Sequence, residues 1–218
     1  TSINLLENDA RKKLDSLDWN TVVHCAAYRN PDYCEVNPEQ ARKLNTESAG
    51  IIASLAESRN ARMIHISTDY VFDGNNPPYR ETDLTCPANL YGKTKLDAEL
   101  MVNKNCQDAL IMRIPVLYGE PTPPARSPML EDALKSAVSN DTSEHDNIIV
   151  RYPTLTDDVA EVILFFLEKN NAEGIIHVSA PEKATRYEWT LALTRLLGKD
   201  CGKIRIMESD PKRIAKRP

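Results

Sequence analysis

The sequence predicts an α/β fold with a doubly wound parallel sheet, and three observations carry that prediction. Short β-branched or apolar runs alternate with longer stretches whose apolar residues recur at three- and four-residue steps. The order is strand, helix, strand, helix, strand, which calls for parallel strands joined by crossovers. Two of the runs close on Ala26-Ala27 and on Ser67-Thr68-Asp69, at the carboxyl strand ends where such sheets take ligands.

Each element has its own signal. Residues 21–27 read as a buried strand, with His24 and Cys25 as core residues. Residues 38–57 read as a helix, with Asn37 as N-cap, Pro38 at the first helical position and Gln40 completing a capping box. A second strand follows at 62–67, a helix at 90–102 and a third strand at 109–114. Beyond Gly119 the texture changes: Pro121, Pro123, Pro124 and Pro128 mark a loop, and 139–146 reads as a polar, mobile stretch. Residues 158–168 read as an apolar helix with Asp158 and Glu161 available for a capping box. Residues 175–179 read as a strand. The last helix, 185–197, has Thr185 and Glu188 as its box and Gly198 as its stop.

The bulk composition excludes several classes. In 218 residues, 41% are hydrophobic and 27% charged, the balance of an ordinary globular protein. No apolar run is long enough for a membrane span, and the polar amino end is no signal peptide. A net charge of -5 argues against nucleic acid as a partner, and the basic cluster Lys212, Arg213, Lys216 and Arg217 reads as a solvated end. Five scattered cysteines without a C-x-x-C pair predict neither a disulfide framework nor a metal site, and suit a reducing, cytoplasmic setting.

The chemistry-bearing pattern is Tyr91-Gly-Lys-Thr-Lys95. Four residues apart on a helix, Tyr91 and Lys95 share a face. A phenol is a poor acid or base near neutrality, and a neighbouring ammonium lowers its pKa. Taken alone, Y-x-x-x-K also fits an exposed helix face. Thr68, just after a strand and upstream of the pair, adds a hydroxyl that would hold a substrate carbonyl while Tyr91 protonates it. Its plainer role is to satisfy a strand-end turn. A strand-end hydroxyl, a Y-x-x-x-K helix and a strand entering Arg113-Ile-Pro-Val-Leu-Tyr-Gly119 together favour an active site.

These motifs, in this order, resemble the extended short-chain dehydrogenases/reductases. Within that family the likeness is to the group holding dTDP-4-dehydrorhamnose reductase and the regulatory beta subunit of methionine adenosyltransferase, more closely the latter. The carrying segments are Asn4-Leu-Leu, His24-Cys-Ala-Ala-Tyr-Arg-Asn-Pro-Asp32, Ser67-Thr-Asp-Tyr-Val-Phe-Asp-Gly74, Asn76-Pro-Pro-Tyr-Arg-Glu81, Asn89-Leu-Tyr-Gly-Lys-Thr-Lys-Leu-Asp97, Arg113-Ile-Pro-Val-Leu-Tyr-Gly-Glu120, and Arg151-Tyr-Pro-Thr154 with Asp158-Val-Ala160. The resemblance implies NADP as cofactor and Thr68, Tyr91 and Lys95 as the catalytic set. It also implies Asn4, Leu5, Cys25, Arg29 and Leu117 as dinucleotide contacts beside Tyr91 and Lys95, with Asn45 supporting the adjacent helix. For Leu117 and Cys25 a core position, and for Arg29 a surface loop, remain open. Residues 1–120 would form an incomplete Rossmann-type NADP-binding portion and 121–218 a smaller substrate- or partner-binding portion, interleaved in the family.

One family feature is missing from these residues. The pyrophosphate of a dinucleotide rests on a glycine-rich turn at a helix start, and no glycine precedes Gly50. The expectation is therefore a fragment, a truncated gene model or a splice form, with an open apolar sheet edge and poor NADP binding. Two functions follow from the resemblance. One is a regulatory subunit that contacts the catalytic subunit of methionine adenosyltransferase and modulates S-adenosylmethionine synthesis. The other is an NADPH-dependent reductase of a nucleotide-linked keto-sugar. An inert remnant is the third possibility.

Overall fold

The computed structural model describes residues 2–119, 128–169, 172–207 and 214–218. Its elements in order are α1 (Ala10–Asp15), β1 (Thr21–His24), α2 (Pro31–Val36), α3 (Pro38–Arg42), a π-helical segment (Lys43–Glu47), α4 (Ser48–Ser58) and β2 (Arg62–Thr68). A 3-10 turn (Asp69–Val71) leads through a long loop to α5 (Leu90–Asn105), then β3 (Leu110–Ile114), β4 (Leu117–Tyr118), α6 (Pro128–Val138) and β5 (Ser143–His145). The rest is β6 (Thr154–Leu155), α7 (Thr156–Lys169), β7 (Gly174–His177), α8 (Arg186–Leu196), a second 3-10 turn (Cys201–Lys203) and β8 (Ile204–Ile206).

The chain divides into two units that interleave along the sequence. The first holds Thr1–Ile114, Phe165–Val178 and Ile214–Pro218; the second holds Pro115–Leu164 and Ser179–Arg213. A four-stranded parallel sheet in the order β1-β2-β3-β7 organises the first unit, so the α/β parallel class is as expected. The run at 175–179, assigned by sequence to the smaller portion, instead pairs with β3 in this main sheet. A β-branched run shows that a strand forms; its neighbour is set by the register Leu110↔Gly174, which joins distant residues.

Burial follows from position in the sheet. β2 and β3 are central and almost wholly buried. β1 lies at the edge among the described residues and is only partly covered. It ends at His24, so the expected strand to residue 27 is shorter, and Cys25 is exposed instead of core. One face of the sheet is packed by Ala49, Ile52, Ala53 and Ala56 of α4 and by Ala98 and Val102 of α5, around Met63 and Ile111. The run of alanines lets α4 and α5 approach each other and the sheet closely, because alanine adds little side-chain bulk.

Several helix signals resolve differently from expectation. Asn37 makes no N-cap hydrogen bond and no capping box with Gln40. The reason is α2, which sequence reading missed: Asn37 is its C-cap, and the Asn37 amide donates to the Tyr33 carbonyl at 3.0 Å. Gln40 accepts instead from the Tyr33 hydroxyl at 2.6 Å. The true cap nearby is Asn30, whose Oδ1 accepts from Asp32 N and Tyr33 N. Asp158 lies inside α7, which starts two residues earlier, so Asp157 and Asp158 act as first-turn carboxylates favourable to the helix dipole.

In the second unit, residues 143–145 of the stretch expected to be polar and mobile form β5, paired in parallel with β8. β4 and β6 pair likewise. Pro121, Pro123, Pro124, Lys212 and Arg213 lie outside the described residues, while Pro128 opens α6. The capping box of α8 forms as read: Thr185 Oγ1 accepts from Glu188 N at 3.1 Å, and Glu188 Oε2 accepts from Thr185 N at 2.8 Å. Gly198 then turns the chain with φ 63°. Thr185→Ala should lower stability by about 1 kcal/mol, measured as a reduced urea midpoint at unchanged slope.

Candidate functional site

Helix α5 carries the site, and its start is fixed by local chemistry. The Asn89 side chain caps it, accepting from Gly92 N at 2.8 Å, and the Glu35 carboxylate accepts from Leu90 N at 2.8 Å. Gly92 permits a close crossing: a Cβ there would run into the Tyr70 carbonyl oxygen. The first turn of α5 therefore lies against the 3-10 turn that follows Thr68. Tyr70 and Tyr91 meet edge to face with ring centroids 5.4 Å apart.

Thr68 caps that 3-10 turn, its hydroxyl accepting from Tyr70 N at 3.3 Å. Burial pushes the Tyr91 phenol well above its usual pKa; a hydrogen bond with Thr68 offsets part of this, and Asp69 adds to it. Thr68 and Tyr91 are thus brought together, but the expected lowering of the phenol by Lys95 is not what the geometry gives. The reason is where the ammonium goes. Lys95, 3% exposed, turns into the sheet, and its Nζ donates to the Ile66 carbonyl at 2.7 Å and lies 3.3 Å from His65 Nε2. Burial lowers its pKa to about 8, with Glu99 opposing that shift.

Asn45 bonds to the helix through Thr94. Wholly buried in the π-helical segment, it accepts from Tyr28 N at 2.7 Å and donates to the Tyr28 carbonyl and to Thr94 Oγ1. Thr46 adds a bond to the Thr94 carbonyl at 2.8 Å. The other expected contacts have varied settings. Leu5 packs on the apolar core. Asn4 and Arg29 are exposed, and Asn4 Oδ1 serves its own turn by accepting from Leu6 N. Leu117 lies in the second unit, paired with Thr154. Cys25 is exposed as a residue, yet desolvation of its thiol raises the pKa, partly opposed by the nearby Lys95.

Residues to which the sequence reading gave no site role complete the site. One turn beyond Lys95, Glu99 forms a buried pair with Arg113 of β3: Arg113 Nη2 is 2.8 Å from Glu99 Oε2, and Arg113 Nε donates to both carboxylate oxygens. Ser67 Oγ donates to Glu99 Oε1. Arg113 also donates to the Glu81 carbonyl and lies 5.1 Å over the Phe72 ring. His65 is wholly buried and His24 nearly so, their rings 5.3 Å apart. Lysine, glutamate and histidine at helix and strand spacing were the available signal; their burial was not visible without the fold. Among the described residues no group of three or more His, Cys, Asp or Glu could hold a metal, and no helix is long and apolar enough to cross a membrane.

Two outcomes test this arrangement. Glu99→Ala strands the buried Arg113 charge and should cost roughly 3–5 kcal/mol, read by denaturant unfolding. Lys95 binds its proton less tightly folded than unfolded, so its contribution to stability should rise with pH between about 8 and 10.5. The stability difference between the parent chain and Lys95→Met should therefore shift across that window in the parent's favour as pH rises.

Comparison with known proteins places this geometry in context. The chain is 38% identical over 221 residues to methionine adenosyltransferase 2 subunit beta of Pongo abelii and 39% identical to that of Rattus norvegicus; each match covers 99% of this chain and 66% of the relative. It thus spans just under two thirds of those relatives' length. A probable low-salt glycan biosynthesis reductase of Haloferax volcanii is 43% identical over 107 residues, 49% of this chain and 36% of the relative. Among solved structures, a dTDP-4-dehydrorhamnose reductase from Clostridium acetobutylicum superposes with a TM-score of 0.86 at 29% identity, covering 98% of this chain and 75% of that one. A dTDP-4-dehydrorhamnose reductase from Bacillus anthracis, solved in complex with NADP, shares the fold with a TM-score of 0.85 at 22% identity, covering 95% and 72%. Residues 3–218 match the RmlD substrate binding domain, and the chain belongs to that family.

Proposed function

We propose that this chain is a regulatory, NADP-binding beta-type subunit that associates with the catalytic subunit of methionine adenosyltransferase and modulates S-adenosylmethionine synthesis in the cytoplasm. The observation that carries the reading is likeness along nearly the whole chain to proteins named as that subunit, against likeness to the glycan reductase over only half of it. The site's electrostatics favour a holding role over turnover. A phenol kept protonated and an ammonium committed to the sheet make a binding surface of fixed hydrogen-bond donors.

The donor set fits the nicotinamide-ribose end of NADP. It offers a phenol, a hydroxyl and a buried ammonium with no carboxylate at ion-pair distance among the described residues. Tyr91 and Lys95 would hold that end beside Thr68. The 218 residues contain no glycine before Gly50, so they bring no glycine turn for the pyrophosphate, and by themselves they would bind NADP weakly. When bound, the reduced cofactor supplies a hydride. On the second reading, a nucleotide-sugar reductase, the Thr68 hydroxyl would hold a keto oxygen and the Tyr91 phenol would give it a proton. Its support is the meeting of Thr68 and Tyr91 across the 3-10 turn.

The decisive experiment mixes the chain with a methionine adenosyltransferase catalytic subunit on a sizing column. Co-elution, with a changed rate of S-adenosylmethionine formation, is expected; separate elution would overturn the regulatory reading. NADPH oxidation with a dTDP-linked keto-sugar, falling about a hundredfold or more in Tyr91→Phe, would establish the reductase instead.

A further inference from the structure

The residues beneath Lys95 carry an inference of their own. A lysine ammonium has three N–H donors and no acceptor. One is taken by the Ile66 carbonyl at 2.7 Å. The His65 Nε2 nitrogen lies 3.3 Å from the same Nζ, in a place where His65 is wholly buried. Two cations this close and this dry would repel strongly, so the imidazole is neutral and its Nε2 bears the lone pair that the ammonium needs. Its proton is then on Nδ1, which has no hydrogen-bond partner among the described residues. The neighbouring His24, paired with His65 in strand register, likewise leaves Nε2 without one.

We infer that His65 is a positioning residue for Lys95, a neutral acceptor in the sheet that fixes the ammonium and leaves it a single N–H for any ligand. Lys95 reaches His65 because His65 lies on the face of β2 that α5 covers; His65 is two residues before Ser67, whose hydroxyl binds Glu99, one turn beyond Lys95. The charged and titratable groups around Lys95 are His24 on β1, Cys25 just beyond it, His65 on β2 and Glu99 on α5. Tyr91, on the same helix, interacts with Thr68 and Asp69. The aliphatic stem of Lys95 thus crosses the helix–sheet seam while its charge is met by two strand acceptors. Leaving His24 Nε2 and His65 Nδ1 buried without a partner among the described residues is the local cost of this arrangement.

The functional consequence rests on the reading of Lys95 as a ligand-facing residue, but the positioning role is measured without ligand. Long-range 1H–15N spectra of the unaltered chain near pH 7 should show His65 as the Nδ1–H tautomer; an Nε2–H tautomer or an imidazolium overturns the proposal. In lysine-labelled protein, with the Lys95 signal assigned through Lys95→Met, His65→Leu should lower the Lys95 titration midpoint by about one pH unit. His65→Gln, which restores an acceptor, should return at least half of that shift. A midpoint unmoved in His65→Leu, or lowered equally in both variants, overturns the inference. If His65→Leu does not fold, the tautomer in the unaltered chain decides. Failure to bind NADP would count against the functional reading alone, since each of these readouts is taken on the cofactor-free chain.

Discussion

The ion pair between Glu99 and Arg113 is the constraint on which the site depends. Both side chains are nearly sealed from solvent, at 3% and 4% exposure, so neither charge can be left without the other. The pair ties α5 to β3, and through Ser67 to β2. With the helix anchored at Glu99, residues one and two turns earlier must face the same strand ends. Lys95 and Tyr91 are those residues. Helical geometry converts one buried electrostatic requirement into the placement of two candidate site side chains.

Burial then acts in opposite directions on that stripe. It disfavours whichever form carries charge, lowering the Lys95 ammonium to about 8 and raising the Tyr91 phenol. Phenol and ammonium therefore stay in their donor forms at neutral pH, instead of the lysine assisting ionisation of the tyrosine. The Ile66 carbonyl and His65 explain why: they take up the ammonium on the sheet side. Reductase-type residues and a regulatory assignment are compatible in physical terms, because one arrangement of donors can hold a ligand without transferring a proton to it.

The loop between the 3-10 turn and α5 is bound into the same network. Glu81 gives its carbonyl to Arg113 and its carboxylate to the His177 backbone N–H at 2.9 Å. Phe72 and Tyr79 stack with centroids 4.3 Å apart beneath the Arg113 guanidinium. The segment Ile214–Pro218 is held by Asp32, which accepts from Ala215 N and pairs with Arg217 at 2.8 Å. The Asn89 side-chain amide, at the start of α5, donates to the Lys216 carbonyl at 2.7 Å, so this segment also meets the helix that bears Tyr91.

What the sequence alone determined is what local chemistry determines. Alternating apolar runs specified a parallel α/β sheet, Thr185 and Glu188 specified a capped helix, and the Tyr91–Lys95 spacing put both residues on one helical face. These signals act over a few residues, where helix periodicity and side-chain-to-backbone bonds suffice. Only the tertiary structure decided the rest. Asn37 serves the end of one helix instead of the start of the next because α2 precedes it. Cys25 is exposed because β1, at the sheet edge among the described residues, ends one residue before it. His24, His65, Glu99 and Arg113 are polar residues in an otherwise ordinary pattern, and their role arises from desolvation, which depends on every element packed around them. The direction in which Lys95 spends its hydrogen bonds belongs to the same class: spacing gave its helical face, and the sheet beneath it supplied the partners.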